Sequence, residues 1–278
     1  MQVDTARFQD AEKYATYLGT TAGKLRLDLA WANLCELLPR SATGLHALDI
    51  GCGTGAFALR LAQLGFEVDL LDASDAMLAL AREQLTTTEF GHLVCFHLGD
   101  AAAITEFFSA SRFDVVICHN VLEFVEEPTR MLGALSRVLK KNESSLASIL
   151  VRNRWGESLK AAMKGGDSKS VESALTGETV LDSLYGEPVR VFDPDDLRGT
   201  MERAGLHVVT ERGIRVVSDY RETSITTEED YQRLRTLELL LGAQPKLAAV
   251  ARYTQFLARH RASHNCGGKH EQYRGQGA

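Results

Sequence analysis

The chain has 278 residues, with 31 Lys and Arg against 37 Asp and Glu, a formal charge of -6 and a pI near 5.8. Hydrophobic residues make up 45% and charged residues 24%, which excludes wholesale disorder and fibrous repeats and leaves ample material for a core. The acidic balance argues against broad, nonspecific polyanion binding, and with 12 basic and 19 acidic side chains in residues 1–150 any such contact is local.

Residues 1–40 read as helical. Leu25, Leu29, Ala32, Leu34 and Leu37 fall near helical spacing, Gly19-Thr20-Thr21 separates two helices, and Pro39 ends the run. From 45 to 151 strands and helices alternate. His46–Ile50 reads as a strand, Thr54–Leu64 as a helix, Phe66–Leu71 as a strand, and Ser74 caps a helix to Leu85. Leu93–His97 follows as a strand, a short helix covers 103–109, and Phe113–Cys118 is a strand. Pro128–Leu139 is then a helix and Leu146–Val151 a strand. This alternation predicts βαβ units and a parallel sheet covered on both faces. Residues 152–192 are polar, contain Gly and read without a strand. Asp193 caps a helix with Pro194 in its first position. Leu206–Val217 is strand-like with a break at Glu211-Arg212-Gly213. Residues 228–250 form one or two helices interrupted at Gly242 and Pro245, and Ala251–Ala258 is a last strand. The polar, Gly-rich stretch 263–278 reads as a disordered tail.

The five Cys (Cys35, Cys52, Cys95, Cys118 and Cys266) are scattered without a CxxC pair, as in a reducing compartment. The stretch MQVDTARFQDAEKY is polar and carries acids, unlike a signal peptide. No apolar run approaches the roughly 20 residues of a membrane span. The expectation is a cytoplasmic protein with no membrane partner. His264, Cys266 and His270 in the tail have no fold to position them as ligands, so no metal is expected.

The strongest signal is Ala47-Leu-Asp49-Ile-Gly51-Cys-Gly53-Thr-Gly55, which closes the first strand and opens a helix. Its spacing is GxGxG. A GxGxxG loop would instead seat a pyrophosphate on a helix N-terminus, and the missing spacing weighs against a nicotinamide-binding fold. Asp72 ends the second strand, Gly99-Asp100-Ala101 follows the third, and Cys118-His119-Asn120-Val-Leu-Glu123 closes the fourth. Four elements at consecutive strand ends fit a ligand at the carboxyl edge of an open α/β sheet.

This set resembles the S-adenosylmethionine-binding loops of class I methyltransferases. The resemblance implies a Rossmann-like sheet of seven strands in the order 3-2-1-4-5-7-6 with strand 7 antiparallel. It further implies N-terminal helices and a helical insertion before the last strand. The expected organisation is one domain over 1–262, with a helical cap at 1–44 and lid insertions at 153–192 and 219–250. By the same resemblance, Gly51 and Gly53 approach the methionine part and Asp49 orders the loop. Asp72 holds the ribose, and Asp100 or the backbone of Ala101 reads the adenine. Met77 either covers the adenine or fills the core, and His119 is either a pocket residue or a structural histidine.

Narrower motifs are similar to the bacterial tRNA 5-carboxymethoxyuridine methyltransferases. These are Gly19-Thr-Thr-Ala-Gly-Lys-Leu-Arg26, His119–Val125 and Gly213–Tyr220, with Glu238 and Arg252-Tyr253. The resemblance implies that Arg26 reaches the cofactor's carboxylate, a task suited to guanidinium. The methyl acceptor is then tRNA or, alternatively, a small molecule at an oxygen or nitrogen; a non-catalytic cofactor-binding partner protein is a third reading. Where that family is Lys-rich, residues 153–192 here carry five basic and six acidic side chains, which weakens the tRNA reading. A carboxylate acceptor needs a cation, for which Arg154 and Arg215 are candidates. A neutral acceptor needs a base, for which His119 and Glu123 are candidates. Tyr14, Tyr17 and Tyr220 line the acceptor pocket or pack in the core.

Overall fold

The computed structural model describes residues 10–182, 184–221 and 225–260; the tail at 263–278, with its three candidate ligands, lies outside them. Two helices come first, α1 (Ala11–Gly19) and α2 (Thr21–Cys35). Thr20 ends one and caps the other: its hydroxyl accepts the Gly23 N–H at 3.1 Å. The sheet segments then alternate as read. They are β1 (His46–Ile50), α3 (Ala56–Gln63), β2 (Glu67–Asp72), α4 (Asp75–Thr86), β3 (Val94–Leu98), α5 (Ile104–Phe107), β4 (Val115–His119), α6 (Pro128–Val138) and β5 (Leu146–Arg152).

The first five strands are parallel, in the order β3-β2-β1-β4-β5. Two more strands, β8 (Leu206–Ile214) and β9 (Tyr253–His260), complete a seven-stranded sheet in the order β3-β2-β1-β4-β5-β9-β8. β9 runs antiparallel to both neighbours, pairing Ala147 with Ala258 on one side and Ile214 with Tyr253 on the other. This is the expected order 3-2-1-4-5-7-6. Side chains alternate between two cores. Ala47, Val115, Ile117 and Leu257 face α2, α3 and α4, whereas Leu48, Val116, Ile149 and Phe256 face α5, α6 and the later α9 (Pro194–Arg203). Burial on both faces explains why these strands read as continuous apolar runs.

Three expectations need correction. Residues 152–192 do contain strands. After α7 (Arg154–Met163) and α8 (Ser168–Thr176), β6 (Thr179–Leu181) and β7 (Pro188–Arg190) form an antiparallel hairpin. Each strand is three residues long, too short for alternation to show, and its turn is held by the Asp182 carboxylate, which accepts the N–H groups of Leu184 and Tyr185. Secondly, the irregularity in β8 lies between Val208 and Thr210, not at Gly213. Gly213 stays in the strand because α11 (Pro245–Ala248) packs on it; a Cβ there would sit 2.7 Å from the Ala248 Cα. Thirdly, β8 stops at Ile214 because Arg215 turns into the left-handed region at φ 62°. α10 (Glu228–Gly242) and α11 form the insertion before β9, divided where Gly242 and Pro245 interrupt the sequence. None of the helices among the described residues is long and apolar enough to cross a membrane.

Candidate active site

A cleft of about 420 Å³ opens at the carboxyl ends of β1, β2, β4 and β5, within the range of small-ligand sites. One end is made largely by backbone. Gly51, Gly53 and Gly55 all have positive φ, at 64°, 54° and 78°, a conformation glycine adopts without strain. A Cβ at Gly51 would also lie 2.4 Å from the Val121 side chain. The Gly53 N–H donates to Asp72 Oδ2 at 2.8 Å and the Ser74 N–H to Oδ1 at 2.9 Å. One carboxylate thus ties the glycine loop to the start of α4. Burial pushes the Asp72 carboxyl upward, opposed by these backbone hydrogen bonds.

Met77, in the first turn of α4, is buried and lines the same end, as do Asp100 and Ala101. Asp100 Oδ1 accepts the Ala102 N–H at 2.8 Å and so holds the turn after β3. Asp49 is not on this cleft. It borders an adjoining cavity of about 30 Å³ together with Thr54 and His119. Burial, reinforced by the charge of Asp72, pushes its carboxyl up to about 8.

Arg26, from α2, stands between the two ends. It donates to Asn120 Oδ1 at 2.9 Å and to the Tyr14 hydroxyl at 3.0 Å. Asn120 has φ 54°, a conformation in which Asn is enriched. Its amide donates in turn to Glu123 Oε1, which also accepts the Arg152 N–H.

His119 borders both cavities, its Nε2 2.8 Å from the Ser148 hydroxyl and its ring edge-on to Phe57. Burial, then the Arg26 charge, lowers its imidazole to about 3. Burial and the neighbouring cation thus both oppose a proton added to this ring.

The far end is built by side chains from distant segments. Arg152, Arg215 and Arg252 are each buried, and all line the cleft with Tyr253. The guanidinium carbons of Arg26, Arg152 and Arg215 lie 5.8, 5.7 and 5.8 Å from the Tyr253 ring centre. Burial pushes the Tyr253 phenol up, but Arg152, Arg215, Arg26 and Arg252 outweigh it and bring the group down to about 8. Glu157 bridges Arg152 and Arg252, while Asp182 pairs with Arg152 and Asp219 with Arg215. The Nε of Arg215 is buried without a hydrogen-bond partner among the described residues, and the buried Nε of Arg252 lies 3.5 Å from Asp219 Oδ2, an ion-pair distance.

Arg154 does not line the cleft. It opens α7, and the cation that enters the site is Arg152, two residues earlier at the end of β5. Arg215 is a buried turn residue just past the end of β8. Tyr14 and Tyr17 line the cleft, whereas Tyr220 does not; its hydroxyl points at the Gly156 carbonyl. Arg152 is not singled out by the sequence; Asp182 enters there only as one acid of 153–192, Asp219 only within the Gly213–Tyr220 motif, and Arg252-Tyr253 only as a matching strand start, with no role in the site for any of them. Charged residues directly at strand ends were the available signal. Among the described residues no group of three His, Cys, Asp or Glu is placed to hold a metal.

Residues 48–145 match the family model described as a methyltransferase domain. The chain is 27% identical over 251 residues to the tRNA 5-carboxymethoxyuridine methyltransferase of Escherichia coli (strain K12), covering 90% of this chain and 94% of that one. It is 30% identical over 175 residues to the ubiquinone biosynthesis O-methyltransferase of Burkholderia vietnamiensis, covering 62% and 68%. Its fold matches the crystal structure of an S-adenosylmethionine-dependent methyltransferase from Mesorhizobium loti with a TM-score of 0.59 at 20% identity, over 84% of this chain and 98% of the other. With the sheet order and the cleft at its carboxyl edge, these likenesses establish that the chain belongs to the S-adenosylmethionine-dependent methyltransferases.

Proposed function

We infer that this enzyme methylates a carboxylate, and that its acceptor is the 5-carboxymethoxyuridine of cytoplasmic tRNA. The observation that carries the reading is the far end of the cleft, where the buried Arg152, Arg215 and Arg252 gather at Tyr253 and Arg215 keeps a buried Nε–H without a partner among the described residues. An ionised carboxylate satisfies such a donor, and guanidinium holds it with two parallel hydrogen bonds. The likeness to the E. coli tRNA enzyme over 90% of the chain points the same way.

The near end suits S-adenosylmethionine, which supplies a methyl group on a cationic sulfur. Asp72 would take the ribose hydroxyls, Met77 would cover the adenine face, and Asp100 with Ala101 would meet its edge. Gly51 and Gly53 would let the chain approach the methionine part, with Asp49 ordering the loop behind them. Arg26, beside His119, would hold the carboxylate.

An acceptor carboxylate is already ionised at pH 7, so the site needs no general base. Its work is to align the oxygen, strip its water and balance its charge. Arg152, Arg215 and Arg252 bring three positive charges, offset by Glu157, Asp182 and Asp219. Lys160, which also lines the cleft, adds a cation. The segments 153–192 and 219–250 act as acceptor-binding insertions on a single domain.

A second reading, a small carboxylic acid as acceptor, is favoured by the charge balance of 153–192, with five basic and six acidic residues. The deciding experiment is radiolabelled methyl transfer to bulk tRNA from cells lacking the endogenous ester-forming enzyme, followed by mild alkali. Base-labile label in tRNA is the expected result. Measured S-adenosylmethionine binding with no label in tRNA would overturn the tRNA assignment and leave the small acid.

A further inference from the structure

His119 is joined to a buried polar chain that spans three strands and a helix. Its Nε2 meets the Ser148 hydroxyl at 2.8 Å, and that oxygen lies 3.0 Å from Gln255 Nε2. Gln255 Nε2 also reaches the Ala30 carbonyl at 3.0 Å, and Asn33 Nδ2 reaches Gln255 Oε1 at 2.9 Å. Ser148 and Gln255 are fully buried and Asn33 nearly so.

The protons in this chain can be counted. A carbonyl only accepts, so the atom of Gln255 facing Ala30 is nitrogen. One of its two N–H bonds goes to Ala30 and the other to Ser148. Ser148 Oγ therefore accepts from Gln255, and its own proton has one acceptor among the contacts of the described residues, His119 Nε2. The ring then carries its proton on Nδ1. In the opposite tautomer the Ser148 proton and the Nδ1 lone pair would both be buried without partners, an added cost of desolvation.

Nδ1 itself is buried and has no partner among the described residues. It belongs to a ring that borders the cleft together with Arg26, Gly51 and Asn120. We propose that Asn33, Gln255 and Ser148 are positioning residues that lock His119 as a neutral Nδ1–H donor, reserved for an acceptor oxygen of the ligand bound beside Arg26. The low basicity of the ring accords with this: burial and Arg26 both oppose a second proton. His119 thereby adds a directed, uncharged hydrogen bond next to a cation, and the three residues behind it act only through the ring.

The test is the nitrogen spectrum of the full-length, ¹⁵N-labelled protein, with His119 assigned by comparison with His119→Gln. Long-range proton–nitrogen correlations should show a pyrrole-type Nδ1 and a pyridine-type Nε2, without titration between pH 6 and 8. Ser148→Ala should release the ring into the Nε2–H form or a mixture and weaken S-adenosylhomocysteine binding by roughly two- to tenfold. Ser148→Thr, which keeps the hydroxyl, should restore both. A pyrrole-type Nε2 in the native protein, titration of the ring in that range, or an unchanged tautomer in Ser148→Ala would overturn the proposal. If Ser148→Ala does not fold, the native spectrum decides alone. No methyl acceptor is present, so the result is independent of the tRNA assignment.

Discussion

The two ends of the cleft are built by different means. The near end is a backbone construction, in which three glycines with positive φ, one carboxylate and the openings of two helices follow from the parallel sheet itself. The far end is a side-chain construction. Its arginines come from the ends of β5, β8 and β9, and its acids from α7, the hairpin turn and the loop after β8. The difference teaches that the near end follows from the fold, whereas the far end rests on a few buried charges that each depend on several others.

The supports of the far end are therefore where the comparison breaks most severely. Glu238, fully buried on α10, accepts the N–H groups of Val216, Val217 and Ser218 and so holds the turn that carries Arg215 and Asp219. Glu238→Ala would strand one buried and two half-buried donors, at up to about 1–3 kcal/mol each before relaxation. Denaturant unfolding should show a loss of roughly 3–5 kcal/mol. A loss below about 1 kcal/mol would mean that the turn is held by something else.

Asp72→Ala is the corresponding cut at the near end. It removes the tie between Gly53 and Ser74 together with the candidate ribose acceptor, and calorimetry should find S-adenosylhomocysteine bound roughly a hundredfold more weakly, as for two charge-assisted hydrogen bonds. Arg215→Lys sharpens the contrast. It keeps the charge but loses the fork, so KM for the acceptor should rise on the order of tenfold while S-adenosylhomocysteine affinity stays as it was. Equal losses at both ends would show that the two regions are not separable.

A test of a different kind reads a slope with pH. The Asp49 carboxyl, raised to about 8 by burial and Asp72, keeps in the folded state a proton that the unfolded chain releases near pH 4. Stability from this group is thus fully present below about pH 4 and is lost as pH rises toward 8. The melting temperature of Asp49→Asn relative to the native protein should climb from pH 5 to pH 8 and level off above. A difference independent of pH would mean that Asp49 is ionised throughout.

The near end was legible because its geometry is local. A GxGxG run after an apolar strand specifies a turn, and an acid at the end of the next strand lies beside it in a parallel sheet; Asp49, Gly51, Gly53, Asp72, Asp100 and His119 were found this way, although Asp49 faces the smaller cavity. The hairpin in 152–192 escaped because three-residue strands carry no periodicity and its turn is held by one side chain. Arg154 stands as a candidate and Arg152 does not because the exact end of β5 decides which arginine enters the cleft, and a strand boundary is set by its partners.

By itself the sequence determined the alternation of strands and helices over 45–151, the sheet topology through its resemblance, and the glycine loop, since apolar periodicity and glycine spacing act over a few residues. Only the tertiary structure decided which cations gather at the far end of the cleft and that Ser148 and Gln255 stand behind His119. Arg26, Arg152, Arg215 and Arg252 are separated by up to 226 positions in the chain, and their encounter around Tyr253 depends on β9 inserting between β5 and β8. Burial then gives these charges and the Ser148–Gln255 chain their force, because polar groups withdrawn from water must satisfy one another or wait for a ligand.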